Sequence, residues 1–105
     1  MRMLKQFIVY RTDRTDGKAE EIRKATRPLH AEYMKQFHDR VHFGGPMQNK
    51  DGVSIGGMMV IDAHDEAEVW EMINNDPFEK AELSSKIEVY QFRWQTKRPA
   101  TLPPL

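Results

Sequence analysis

The chain has no cysteine. Disulfide staples, thiolate zinc sites and thiol nucleophiles are therefore excluded. It also lacks a prevailing charge: 16 Lys and Arg balance 16 Asp and Glu. That argues against a nucleic-acid binder, whose footprint is a basic excess. Long apolar runs are missing too. The opening MRMLKQFIVYRTD holds only the run FIVY before charge resumes, too short for a signal-peptide core or a membrane span. The expected address is a reducing cytoplasm, with no membrane partner. No period of solenoid length recurs. The glycine clusters GGP and IGG are not followed by Gly-Lys-Ser/Thr and open no helix, so they form no phosphate loop.

What is present fits one domain. At 105 residues a chain buries roughly two-thirds of the surface its unfolded form exposes, enough for a single core. LKQFIVYR (4 to 11) is apolar, aromatic and β-branched, and reads as the first strand. Across 16 to 37 the period changes. Ile22, Thr26, Leu29, Tyr33 and Phe37 recur at helical spacings and predict one amphipathic helix. VHFGGPMQ (41 to 48) is a second strand, NKDG a hairpin turn and VSIGGMMVID (53 to 62) a third strand, in which Gly56 and Gly57 signal a bulge or a close backbone approach. Residues 63 to 75 predict a second helix with Ala67, Trp70, Met72 and Ile73 turned inward; 76 to 83 is a short helical piece, and KIEVYQFRWQ (86 to 95) a fourth strand. The domain is expected to span 1 to 95, with 96 to 105 a proline-rich tail that is extended or docked on a partner.

The order β-α-β-β-α-β is the split βαβ, ferredoxin-like pattern: α+β, with a four-stranded antiparallel sheet and two helices on one face. In the fourth strand Ile87 and Val89 point one way, Tyr90, Phe92 and Trp94 the other. Both faces carry apolar bulk, and two helices cover only one. A second copy of the chain is expected to cover the rest, giving a homodimer with sheets packed face to face like a barrel. Higher oligomers built from such dimers stay open.

Two stretches carry chemistry. In TRPLHAEYM (26 to 34), proline and histidine sit inside a helical pattern. Thr26 as a cap with Pro28 in the first turn would accommodate the proline, but the apolar spacing runs straight through Pro28 and favours a kink in a longer helix. His30 lies about 100° around from Leu29, at the border of the buried stripe, where an imidazole is partly desolvated and still reaches a ligand. In NNDPFEKAEL, Asp76, Pro77 and Glu79 make a capping box with aspartate in place of serine. Asp76 is either that cap or the carboxylate that orients His30 as a general base. Tyr10 and Arg27 are candidates to bind an anionic or hydroxylated substrate. His38 and His42 stand at ligand spacing, but the helical period ends at Phe37, so the pair is expected to diverge and no metal is assigned. His64 reads as an exposed helix-start residue, and Met58, Met59 and Met72 as core filler.

RPLHAEYM, HFGGPMQ, NNDPFEKAEL and IEVYQFRW, in that order, resemble the YciI-like (YCII-related) family of the dimeric α+β barrel superfamily, over about residues 4 to 95. The resemblance implies a ferredoxin-like protomer that dimerises through its sheet, with a histidine–aspartate pair in a cleft. The family's histidine after Arg-Pro falls on His30, its aspartate before Pro and an aromatic on Asp76, and its glycine–proline of strand two on Gly45 and Pro46. The implied activity is cofactor-independent proton transfer on a small organic metabolite, as an isomerase, a lyase or an elimination. The alternatives are a non-catalytic metabolite-binding dimer and an accessory domain that recognises a protein partner.

Overall fold

The structure, a computed structural model, describes residues 3–105. The first two residues of the expected domain, Met1 and Arg2, lie outside the described residues. The elements are β1 (Lys5–Asp13), α1 (Ala19–Met34) with a following 3-10 turn (Lys35–Phe37), β2 (Val41–Gln48), β3 (Ser54–Ala63), α2 (Glu66–Asn75), α3 (Pro77–Lys80) and β4 (Ser84–Phe92). The sheet order is β2-β3-β1-β4, and every neighbouring pair is antiparallel. This is the ferredoxin-like arrangement. No helix of the described residues is long and apolar enough to cross a membrane.

The pleat sorts β1 into two sets. Phe7 and Val9 point to the helices and are buried in one core with Ile61 and Ala63 of β3 and Val69, Met72 and Ile73 of α2. Ile87 and Val89 of β4 pack against that core, as the alternation of strand four requires. The opposite set keeps the other face: Tyr10 is 41% exposed, Phe43 48% and Tyr90 54%. Trp94 stands among Phe43, Phe92 and His42 there, with ring centroids 5.2–5.9 Å apart.

Helix α1 runs from Ala19 through Pro28 without a break, as the longer-helix reading has it, so Thr26 caps nothing. The proline removes the bond its N–H would give to the Lys24 carbonyl; both residues are exposed, so solvent can take that carbonyl. What differs from the expected form is which residues face inward. Leu29, expected in the buried stripe, is 63% exposed. The inner line instead runs Ile22, Thr26, His30, Tyr33, Phe37, so His30 faces inward and is not at a border. None of the residues of α1 is fully buried: the helix stands off the sheet, and the gap beneath it is the site.

Smaller corrections follow from real contacts. Ala67 is exposed and Val69 takes the inner position on α2. His64 is not a free surface residue; its Nδ1 lies 2.9 Å from Glu68 Oε2. The close approach expected at Gly56 is present: a Cβ there would stand 2.2 Å from the Arg11 carbonyl oxygen. In the tail, Arg98 donates to the carbonyls of Trp94 and Pro103, closing the segment on itself.

Candidate active site

The inward register of β1 continues past its apolar half. After Phe7 and Val9 come Arg11 and Asp13, both buried. Helix α1 presents Arg23, Arg27, His30 and Met34 to the same space, at spacings of four, three and four that stack one above another on a helix. The third contributor is the junction of α2 and α3. Asp76 ends one helix and caps the next in an extended conformation (φ −67°, ψ 128°), with Pro77 at the first position of α3. A proline there disfavours helical geometry in the residue before it. The chain therefore turns at Asp76 and aims its carboxylate under α1.

That carboxylate is 0% exposed and fully engaged. Its Oδ1 lies 2.8 Å from His30 Nδ1 and accepts from the Phe78 N–H at 2.9 Å. Its Oδ2 accepts from Arg11 Nη1 at 2.8 Å. Sequence left the cap and the histidine partner as competing roles; two oxygens with several lone pairs serve both. Burial pushes the Asp76 carboxyl up, but the His30 hydrogen bond, the Arg11 charge and the Phe78 N–H together outweigh it and hold it below the ordinary carboxylate range. The capping box itself does not close. Glu79 turns away from the cap to accept from Arg11 Nη1 at 2.9 Å and from Ser84 Oγ at 2.8 Å.

A carboxylate only accepts hydrogen bonds, so the shared proton sits on His30 Nδ1, and in the neutral ring the lone pair is on Nε2. The ring stacks on Phe78 with centroids 4.1 Å apart and an interplanar angle of 20°. Hydrogen bond and stack together fix its orientation, and no described residue bonds Nε2.

The cleft beneath α1 measures about 810 Å³. Its sheet side includes Gly44, Gly45, Gly56 and Gly57, which add no side-chain volume, and Pro46. Arg11, Arg27, His30 and His38 line it as well.

A YCII-related domain model matches residues 6–93, the span that carries every residue of this cleft. The chain belongs to the YCII-related family. No curated protein matches the chain. Among solved structures, this YCII-related chain is similar to 5-chloro-2-hydroxyhydroquinone dehydrochlorinase (TftG) of Burkholderia phenoliruptrix AC1100, in complex with 2,5-dihydroxybenzoquinone. Identity is 28%, the match covers 86% of this chain and 93% of that one, and the TM-score is 0.74. PA3566 of Pseudomonas aeruginosa shares the fold at 15% identity, covering 91% and 99% of the two chains at a TM-score of 0.53. A dimeric ferredoxin-like protein from an uncultured marine organism does so at 10% identity, covering 91% and 93% at a TM-score of 0.53.

Of the residues singled out from sequence, His30 and Asp76 meet, and Arg27, Gly45 and Pro46 line the same cleft. Tyr10 does not join them, because its side chain lies on the opposite sheet face, paired with Met58 and Glu88. The charged strand-one residues of the site are its neighbour Arg11 and Asp13. Glu79, Phe78 and Ser84 were also missed as site residues. His38 and His42 both border the cleft, and His42 Nε2 sits 2.7 Å from Asp62 Oδ1, to which Gln6 Nε2 also donates. Among the described residues no cluster of three or more His, Asp or Glu is placed to hold a metal.

Proposed function

We propose that this protein is a small cofactor-independent lyase in which His30, oriented by Asp76, moves a proton on a hydroxylated ring compound. The observation that carries the reading is the His30 Nδ1–Asp76 bond of 2.8 Å on a fully buried carboxylate, which leaves Nε2 with a lone pair at a cleft large enough for one ring. Elimination from such a ring needs one proton taken and one anion expelled. One ring hydroxyl first ketonises, moving its proton to the halogen-bearing carbon. A second O–H bond then breaks toward the base, its electrons form a carbonyl, the ring double bond shifts to the halogen-bearing carbon, and the carbon–halogen pair leaves as halide. Proton and halide balance without an oxidant or reductant. The imidazolium formed is stabilised by Asp76, as a carboxylate stabilises any positioned base of this kind. The likeness to TftG, a dehydrochlorinase bound to 2,5-dihydroxybenzoquinone, supports both the reaction type and the ring. The protomer works as a homodimer paired through the open sheet face, whose exposed Tyr10, Phe43 and Tyr90 no described element of the chain covers.

The test is chloride release from 5-chloro-2-hydroxyhydroquinone, followed with a chloride electrode and ring absorbance. Removing a positioned general base costs about 10²–10⁴-fold in rate. His30→Asn is expected to lose activity in that range while its circular dichroism is unchanged. If the wild-type protein binds the ring but releases no chloride, it is a metabolite-binding dimer instead.

A further inference from the structure

Three arginines reach the cleft, and their partners divide unequally. Arg23 Nη2 is held by Asp13 Oδ1 at 2.6 Å. Arg11 spends one nitrogen, Nη1, on both Asp76 and Glu79. Its Nη2 is buried with no partner, and so is Asp13 Oδ2. Both residues line the cleft and are more than nine-tenths buried, at 8% and 7% exposure. Native interiors seldom leave such groups unpaired, so an orphaned donor and an orphaned acceptor on one strand face call for an occupant. Arg27 adds to this. It makes no hydrogen bond or ion pair among the described residues, and it stands one helical turn before His30 on the cleft side of α1.

We infer that the cleft contains an oxyanion subsite, in which Arg27 and the free Nη2 of Arg11 take an ionised ring oxygen and Asp13 Oδ2 accepts from an adjacent hydroxyl. The inference rests on the proposed ring chemistry and specifies its substrate class: rings that carry an ionised oxygen beside a hydroxyl or carbonyl. A guanidinium suits this task because its charge-assisted donors are about twice as strong as neutral ones. The subsite also sets direction. With the ionised oxygen held by the arginines, another part of the ring lies toward His30 Nε2, where the proton is moved.

The experiment is calorimetric titration with two probes: 2,5-dihydroxybenzoquinone, a vinylogous acid that is ionised near neutral pH, and its neutral dimethyl ether, 2,5-dimethoxybenzoquinone. Wild type is expected to prefer the ionised probe by about tenfold or more, a preference that falls as salt rises. Arg27→Gln removes an exposed side chain without a protein partner, so it leaves the fold intact. It is expected to weaken the ionised probe about tenfold and the neutral one little. His30→Asn is expected to keep the preference while losing turnover. Equal binding of the two probes by wild type, or an unchanged preference in Arg27→Gln, overturns the subsite. If neither probe binds but chloride is released, the subsite falls and the lyase reading stands. If neither binding nor turnover occurs, the lyase reading falls and takes the subsite with it.

Discussion

Replacing Asp76 with asparagine probes the joint on which the site turns. The carboxylate takes three hydrogen bonds, from His30, Arg11 and the Phe78 N–H. Asparagine keeps one accepting oxygen. With that oxygen left on Phe78 and His30, the new NH₂ meets the Arg11 guanidinium, donor against donor. A charge-assisted bond contributes about 1.5–3 kcal/mol, and leaving its buried donor unpaired costs a further 1–3 kcal/mol or so. Arg11 keeps Glu79, which limits the damage. The expected loss is about 3–5 kcal/mol, the range for breaking a buried ion pair from one side, or about 12–20 °C in Tm at roughly 4 °C per kcal/mol. Urea denaturation at fixed protein concentration measures it. The pH dependence makes the test specific. Asp76 titrates below its ordinary value in the folded protein, so its contribution is complete above the unfolded value of about 3.9 and is lost as pH falls through the folded one. The gap between wild type and Asp76→Asn should therefore be full at neutral pH and close in strong acid. A gap under about 1 kcal/mol at neutral pH refutes the reasoning. So does a large gap that persists in acid, because it would have nothing to do with the carboxylate's charge.

Two further outcomes follow from the geometry. Gly56→Ala drives a Cβ to 2.2 Å from the Arg11 carbonyl oxygen, whereas Gly45→Ala meets nothing within 4 Å. The first is expected to lose about 3 kcal/mol or fail to fold and the second to stay within about 1 kcal/mol, read from urea midpoints; similar values for the two would refute the close approach. Tyr90→Glu places like charges on both copies of the open sheet face, where Tyr90 is 54% exposed. Sedimentation velocity should show a dimer for wild type and a monomer for this variant, and a dimer in both would place the contact elsewhere.

The fold was legible because its signals are local and repeated. Strand two was read at its observed ends, Val41 and Gln48, and strand four betrayed its two faces through Ile87 and Val89 against Tyr90 and Phe92. The candidate site was legible where short motifs carry it, at His30 and Asp76 and at Arg27, Gly45 and Pro46, which line the same cleft. On helix α1 and its neighbour α3 the reading failed for one physical reason. An amphipathic pattern presumes that the inner face of a helix is apolar, so Leu29 was set inside and His30 at the edge. Helix α1 covers a polar cleft, and its inner line is the reverse. The same presumption hid Glu79, whose cap role was complete on paper while its side chain had a cation to serve.

Strand one shows what signal was available. From sequence the strand reads as ending at Arg11, and Tyr10, the residue before it, as the functional one. Side chains alternate strictly, so a reading displaced by one residue chooses the wrong face. Phe7 and Val9 already identified the inward set. Two more steps along it reach Arg11 and Asp13, charged residues at positions that a core would fill with hydrocarbon. A buried charge is costly unless paired, and the strand places two of them under the helix that carries His30. Where an inward register runs from apolar to charged without changing face, the change marks the boundary between the part of the sheet that packs and the part that binds.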